Sequence, residues 1–465
     1  MLKSNKKESQ VEINQEELNE LVDIVFLEIN QFKSENTTTH PYDIAEQLLE
    51  IREIDKETYI SVLKKIPHEL FAEILSEMPE YIQEEITELF STKKIADIAS
   101  KMDTDDAASF IQNLSEENEE IAQGILERFE DEDKEIIEQL MSYEEDEAGS
   151  YMQTELYNAT INENIGTSIK KLKELKEAGE LDNIWHVHIT DKNHKYLGSV
   201  GLEELIIFEH ALTFEDIPYE KYKNYFINHK ANIKEVVEMF TNYNLSSIPV
   251  VDDDNILLGR ITSDDIYDII QETATEQIYN LAGVNDEAEQ DEDMFVIGKT
   301  RAIWLGLNLV TAIAASLVIG LFDATIQSLV ALAILMPIVA SMGGNAGTQT
   351  LTVTVRQMAL GDIVGADARR TIYKEVIISL VNGLLFAFII GLIAYVWFSI
   401  PLLGVVIAIS MVVNLISAGF FGSVIPLVLQ KVGVDPAIGS TVLLTTVTDV
   451  VGFFSFLGLA TLILL

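Results

Sequence analysis

Two kinds of hydrophobic patterning divide the chain. Between about residues 40 and 150, apolar positions recur at intervals of three and four. They run Ile66, Leu70, Phe71, Ile74, Leu75, Met78; then Ile82, Ile86, Leu89, Phe90; then Ile121, Ile125, Leu126, Phe129. That period marks helices with one buried face. Polar breaks at Ser91-Thr92 and Asp103-Thr104-Asp105 keep the helices short, and Met78-Pro79 and Met102-Asp103 open similar segments 24 residues apart. The spacing predicts a small helical solenoid over 41–150. The first 40 residues are expected to hold one more helix, around Gln15–Phe32, or a mobile tail. After residue 300 the periodicity gives way to uncharged runs: 21 residues between Arg301 and Asp323, 32 between Asp323 and Arg356, and 55 between Glu375 and Lys431. A bilayer core takes about 20 apolar residues per helix. The longest run is broken near Ser399–Pro401, so five membrane helices are predicted at roughly 302–322, 328–357, 370–398, 402–430 and 438–465.

The segment between these regimes contains an internal repeat. One copy reads Val187-His188-Ile189-Thr190-Asp191, then Tyr196-Leu197-Gly198-Ser199-Val200-Gly201-Leu202-Glu203-Glu204-Leu205. The other, 61 residues on, reads Ile248-Pro249-Val250-Val251-Asp252, then Leu257-Leu258-Gly259-Arg260-Ile261-Thr262-Ser263-Asp264-Asp265-Ile266. Each predicts strand, turn, strand, then a helix begun by acids, with a helix before it at Ile165–Leu175 or Ile233–Tyr243. The repeat resembles a tandem pair of cystathionine-β-synthase (CBS) domains, over 151–212 and 213–273. Such pairs often hold adenine nucleotides, and the resemblance puts Thr262 and Asp265 in that role. Gly201 stands where the second copy has Thr262, which weakens the first copy's share. His186 and His188 lie on one strand face with His194 nearby; solvated strand histidines explain them more simply than a metal site.

Charge sharpens the division. The chain of 465 residues has 75 acids, 31 bases, no cysteine and a net charge of −44. Only six bases and six acids follow residue 300, so the whole excess of negative charge lies before it. Such a surface repels phosphate backbones, which argues against nucleic-acid binding. Lack of cysteine excludes disulfides, thiolate metal sites and a Cys nucleophile. Met1–Gln10 is polar and does not read as a signal peptide. The bases Arg301, Arg356, Arg369, Arg370, Lys374 and Lys431 all fall at one set of helix ends, which predicts a cytoplasmic acidic part and an outer C-terminus. No P-loop, phosphorylatable ATPase motif or Ser-His-Asp constellation is visible, and no enzyme activity is expected.

Two polar features interrupt the apolar runs. Gly343-Gly344-Asn345-Ala346-Gly347-Thr348-Gln349 sits inside the second predicted span. Glycines there are expected to loosen the helix and free carbonyls that, with the Asn345 amide, make hard oxygen ligands. Close packing of helices through small residues is the competing reading. The second feature is Asp449, in Thr445-Thr446-Val447-Thr448-Asp449. A mid-span carboxylate costs at least a few kcal/mol and needs a cation, water or a proton. No Lys or Arg lies at that depth, so a passing cation is the expected partner. Asp435, before Pro436, is expected to cap the last helix or mark the inner pore mouth. A third pattern joins the halves: Asp264 is followed by Asp265, Asp268, Glu272 and Glu276 at helical spacing, and like charges so placed repel unless screened. That helix is expected to reach about Val284. The acidic tract Asp286–Asp293 follows it in a connecting segment, 274–300.

Together these residues resemble the MgtE family of magnesium channels over nearly the whole chain. The carriers are Pro337 with Met342–Gln349, Asp435-Pro436, Thr445–Gly452, Met102–Ala108 and Tyr143–Met152 with Glu147-Ala148-Gly149. The resemblance implies a multi-domain chain: an all-α N-terminal superhelical domain, an α/β CBS pair, a connecting plug helix and a five-helix membrane domain, 301–465. It implies a homodimer in membrane lipid with one pore on the two-fold axis carrying Mg²⁺ inward. It places Asp449, Asp435, Asn345, Gly344 and Thr445 along the pore. Cytosolic Mg²⁺ is expected to bridge Asp103, Asp105, Asp106 and the CBS and connecting-helix acids and close the pore. A transporter of Mg²⁺, Mn²⁺ or Co²⁺ coupled to H⁺ or Na⁺ is the alternative.

Overall fold

Helix α1 (Leu2–Phe32) opens the chain and packs Leu18, Val25 and Ile29 into the soluble core. It begins well before the segment expected around Gln15. The computed structural model describes residues 2–32, 39–179, 181, 183–284, 294–360, 363 and 367–465. The chain divides into two units, residues 1–270 and 271–465.

In the first unit, α1 is followed by α2 (Pro41–Ile54), α3 (Lys56–Leu63), α4 (His68–Ser76), α5 (Glu80–Leu89), α6 (Thr92–Ala99), α7 (Thr104–Leu126) and α8 (Asp131–Leu140). Helix starts coincide with the polar breaks. The Asp55 carboxylate accepts from Thr58 N at 2.9 Å to cap α3, and Pro79 stands at the N-cap of α5. Capping satisfies amides that have no partner inside the first turn. The apolar stripes meet in one core, with Tyr59, Phe71, Ile74 and Ile82 fully buried.

Two small sheets follow. The first has β1 (Asn158–Thr160), β2 (His186–Thr190) and β3 (Tyr196–Gly201), with α9 (Ile165–Ala178) crossing between β1 and β2 and α10 (Leu202–Ile207) after β3. The second has β4 (Ile227–Asn228), α11 (Ile233–Tyr243), β5 (Ser247–Val251), β6 (Leu257–Thr262) and α12 (Ser263–Ala282). In each, the first two strands are parallel and the last two antiparallel. A parallel pair needs a crossover, which α9 and α11 supply. Ile189 pairs with Gly198 and Val250 with Gly259, each with a shift one residue later. The register thus repeats at the offset read from the sequence. The first copy has its own core around Val187, Ile189, Val200 and Phe214. The second shares the core of the helices, through Val236, Ile248, Ile261 and Ile266.

The join between helices and second copy is a backbone pairing. Gln153 N donates to Arg260 O and Arg260 N to Gln153 O, each at 2.9 Å. Gly259 is required there: a Cβ would stand 2.6 Å from the Gln153 carbonyl oxygen.

The second unit contains α13 (Met294–Gly320), the short α14 (Asp323–Ser328), α15 (Ala331–Ala359), α16 (Asp367–Phe398), α17 (Pro401–Lys431) and α18 (Ser440–Leu464). All but α14 are long and apolar enough to cross a membrane. Small residues let the backbones approach, as expected where lipid competes equally for apolar side chains. A Cβ at Gly404 of α17 would stand 2.5 Å from Gly391 O of α16, and one at Gly422 would stand 2.9 Å from Gly347 O of α15. Here one expectation is corrected. Residues Gly343–Gln349 do not loosen their span; α15 is helical through them, so their carbonyls stay in the helix ladder. Gly343 and Gly347 serve packing instead, against Asn414 and Leu444. The acidic tract Asp286–Asp293 lies outside the described residues.

Candidate functional site

Asp449 lies near the middle of α18, half-buried, and no described residue bonds to its carboxylate. Thr445, one turn earlier, is exposed on the same face; its hydroxyl donates to Thr441 O at 2.8 Å, leaving its oxygen lone pairs free to accept. Thr441 in turn donates to Leu281 O at 2.8 Å. On α15, which packs against α18, Asn345 is exposed and Gly344 has open space beside it. Ser341, Asn345, Thr348, Gln349 and Thr352 form an exposed polar stripe along α15 at helical spacing. Lipid gives such a stripe no hydrogen-bond partner; water, an ion or another protein surface does.

Asp435 does not cap α18. That helix starts at Ser440, with Gly439 at its N-cap in the left-handed region at φ 68°. Asp435 instead accepts from Ala437 N at 2.7 Å in the preceding turn. The proline that follows it and the turn at 436–439 move the helix start beyond its reach.

In the first unit a second group of acids assembles around the Gln153–Arg260 pairing. Thr104, the first residue of α7, donates through its hydroxyl to Glu155 Oε2 at 2.9 Å, and Thr154 N donates to Thr104 Oγ at 2.8 Å. This docks the start of α7 beside the start of α12. Asp103, Asp105 and Asp106 thereby come close to Asp264 and Asp265. Asp105 is buried, 8% exposed. Burial, then the charges of Asp265, Asp106 and Asp103, push it well above the usual carboxylate range. Desolvation, then Glu155 and Asp106, push Asp103 up to about 6. Desolvation raises Asp265 to about 6 against the two hydrogen bonds it accepts from Thr262, at 2.7 Å from the hydroxyl and 3.2 Å from the amide. Asp268 is raised by desolvation and by Asp264.

Three partners in this cluster escaped sequence reasoning. Glu155 enters through its bond to Thr104; Glu77 is raised by desolvation and by Asp268, Asp106 and Asp264. Arg260, 4% exposed, donates from Nε to Gln153 Oε1 and from a terminal nitrogen to Asn183 O, each at 2.9 Å. Its position as the one base between Lys234 and the end of α12, among acids, was the available signal. Glu272 and Glu276 are exposed and lie beyond residue 270, in the second unit. Among the described residues no three His, Asp or Glu side chains converge closely enough to hold a metal ion directly.

Thr262 and Asp265, assigned to a ribose, bond to each other, and Asp265 shares the field of Asp106 and Asp264. His188 is not solvated as expected but buried, bonded through Nδ1 to Ser199 Oγ at 2.8 Å, and burial holds it down to about 3. His186 bonds Ser247 Oγ at 3.2 Å and Lys223 Nζ at 3.1 Å across the two copies. His188 lies among the buried positions of β2, whereas His186, the first residue of the strand, is only partly buried.

Five candidate spans with a mid-span carboxylate, preceded by a CBS pair and an acidic helical domain, define a polytopic transporter of divalent cations. Family profiles agree: the divalent cation transporter profile MgtE matches residues 336–459, the MgtE intracellular N domain 39–146, and the CBS domain 219–272. The magnesium transporter MgtE of Thermus thermophilus is 27% identical over 427 residues, 91% of this chain and 93% of that protein. MgtE of Bacillus subtilis is 28% identical over 433 residues, covering 93% and 94%. Among solved structures, the soluble part of a magnesium transporter aligns with a TM-score of 0.48 at 21% identity, covering 55% of this chain and 99% of that one. The chain belongs to the MgtE family of magnesium transporters, with CBS domains.

Proposed function

We propose that this protein is a Mg²⁺ channel that works as a homodimer in the cell membrane and closes when cytosolic Mg²⁺ is abundant. The observation that carries the pore assignment is the Asp449 carboxylate, at mid-span on α18 with no bonded partner among the described residues, on a helix that packs against α15. Two such carboxylates across a two-fold axis hold a hydrated Mg²⁺ through its waters, with Thr445, Asn345 and Gly344 along the wall. Mg²⁺ dehydrates reluctantly and keeps several waters, and binding through them lets it leave, which conduction requires. Asp435 marks the inner mouth. The bases at the helix ends put the N-terminal unit inside and the C-terminus outside.

A second copy also accounts for exposed apolar surface on the CBS pair. Ile206 of α10 and Tyr267 of α12 are equivalent positions at the repeat offset, and they are 79% and 70% exposed. Self-complementary burial of such a patch is the ordinary basis of a two-fold dimer.

Gating follows from the acidic cluster. Asp103, Asp105, Asp106, Asp264, Asp265 and Asp268 are held together against their own repulsion when α7 docks on α12. Mg²⁺, bridging through its water shell to one or two carboxylates at a time, relieves that repulsion and favours the docked, closed arrangement. Glu272 and Glu276 extend the same charge along α12. A ligand shifts a conformational equilibrium only by its differential affinity, and acids gathered in one state supply the difference. An adenine nucleotide at Thr262 and Asp265 competes for the carboxylate this cluster uses.

The test is uptake into liposomes holding the pure protein, with current recorded. A channel current reverses at the Mg²⁺ equilibrium potential and ignores imposed H⁺ or Na⁺ gradients; a reversal that follows those gradients indicates the coupled transporter. Asp449→Ala abolishes uptake under this reading, and wild-type flux in that variant removes Asp449 from the pore.

A further inference from the structure

Asn414 of α17 takes no part in the pore or gating just described, yet it is fully buried in the membrane unit. Its Nδ2 donates to the Val339 carbonyl of α15 at 2.8 Å, and its Oδ1 has no partner. The amide is clasped between two glycines on two other helices. A Cβ at Gly343 of α15 would collide with Nδ2, and one at Gly452 of α18 would stand 2.7 Å from it. Gly343 immediately precedes Gly344 and Asn345; Gly452 follows Asp449 by three residues, close to one helical turn. One side chain therefore sets the approach of both helices, α15 by a hydrogen bond and α18 by direct packing.

An amide here carries a cost. A buried acceptor left unbonded is unfavourable, and a leucine of similar size packs among apolar neighbours without it. What an apolar side chain lacks is the bond to Val339 O, which pins α15 in one register against α17. We propose that Asn414 is a positioning residue that determines ion specificity: it fixes the separation between Asn345 and Asp449 and hence the size of the hydrated or partly hydrated divalent cation held there. Mg²⁺ and Ca²⁺ differ in preferred oxygen distance by a few tenths of an ångström, so a small displacement of one helix alters the choice between them. The proposal rests on the pore reading above.

The experiment compares Mg²⁺ and Ca²⁺ uptake by the full-length protein in liposomes, with thermal unfolding of the same preparations. Asn414→Leu is expected to lower the ratio of Mg²⁺ to Ca²⁺ uptake by about tenfold, the equivalent of one interhelical hydrogen bond. Gly343→Ala, whose Cβ meets the amide, is expected to lose uptake and melt earlier, and adding Asn414→Ala, which vacates that space, is expected to restore both. An Asn414→Leu protein that folds and keeps the wild-type ratio overturns the specificity role. If Asn414→Leu does not fold, the pair decides: a double variant no better than Gly343→Ala overturns the proposal. Wild-type uptake by Asp449→Ala instead fails the pore reading, and that arm is scored separately.

Discussion

Replacing Asp265 by asparagine removes the charge that docking must bury, desolvation being its first cost and repulsion from Asp264 and Asp106 the next. Burial first, then the charges of Asp264 and Asp106, raise this carboxylate from its ordinary 3.8 to about 6 in the docked arrangement. Each unit corresponds to 1.36 kcal/mol, so an ionised Asp265 opposes the docked arrangement by at most about 3 kcal/mol, or roughly 100-fold in the equilibrium. The sign follows from linkage. A carboxylate raised in the compact state contributes full stability below its free value and loses it as pH rises through about 6. Without Mg²⁺ the docked state is therefore weakest at pH 8 and recovers near pH 4. Asparagine keeps an acceptor for Thr262, whose hydroxyl and amide donate to this side chain, and removes the charge. Limited proteolysis of the full-length protein in EDTA at pH 8 is the assay. Asp265→Asn should resist cleavage between α8 and β1 where the wild type does not, and Mg²⁺ should add less protection to the variant. Equal lability of the two proteins in EDTA at pH 8 would refute the argument that the buried Asp265 charge opposes docking.

Acid acts in the opposite sense on the first CBS copy. His188 is held down to about 3, so the stability it represents is complete above about 6.5 and lost as pH falls, about 2 kcal/mol by pH 5. Fluorescence of Trp185, the only tryptophan before residue 300, should report earlier melting at pH 5 than at pH 7, and His188→Phe should flatten that difference. In the membrane unit Gly404→Ala forces a Cβ against the Gly391 carbonyl and should cost about 1–3 kcal/mol of thermal stability, whereas Gly306→Ala on α13 meets nothing and should not lower the melting temperature. Salt should mimic Mg²⁺ only weakly in the protease assay, because ions in bulk screen close, partly buried charges poorly.

The order of domains, the five spans and the CBS repeat were legible in the sequence because each rests on a period or a length. Helical stripes repeat every 3.6 residues, a bilayer demands about 20 apolar residues, and two copies of one motif share a register. Asp449 draws the eye for a related reason: a charge inside an apolar run is rare enough to be conspicuous alone. Local sequence could not decide whether glycines break a span or seat a neighbouring helix. Gly343 and Gly347 stay helical because Asn414 and Leu444, far along the chain, fill the space beside them. Nor could it foresee that Gln153 would pair with Arg260, and through that pairing bring Thr104, Glu155 and the acids of α7 beside Asp265. Periodicity and composition are properties of a chain read in one dimension; burial, and the charge density it creates at the start of α7, exist only once distant segments have met.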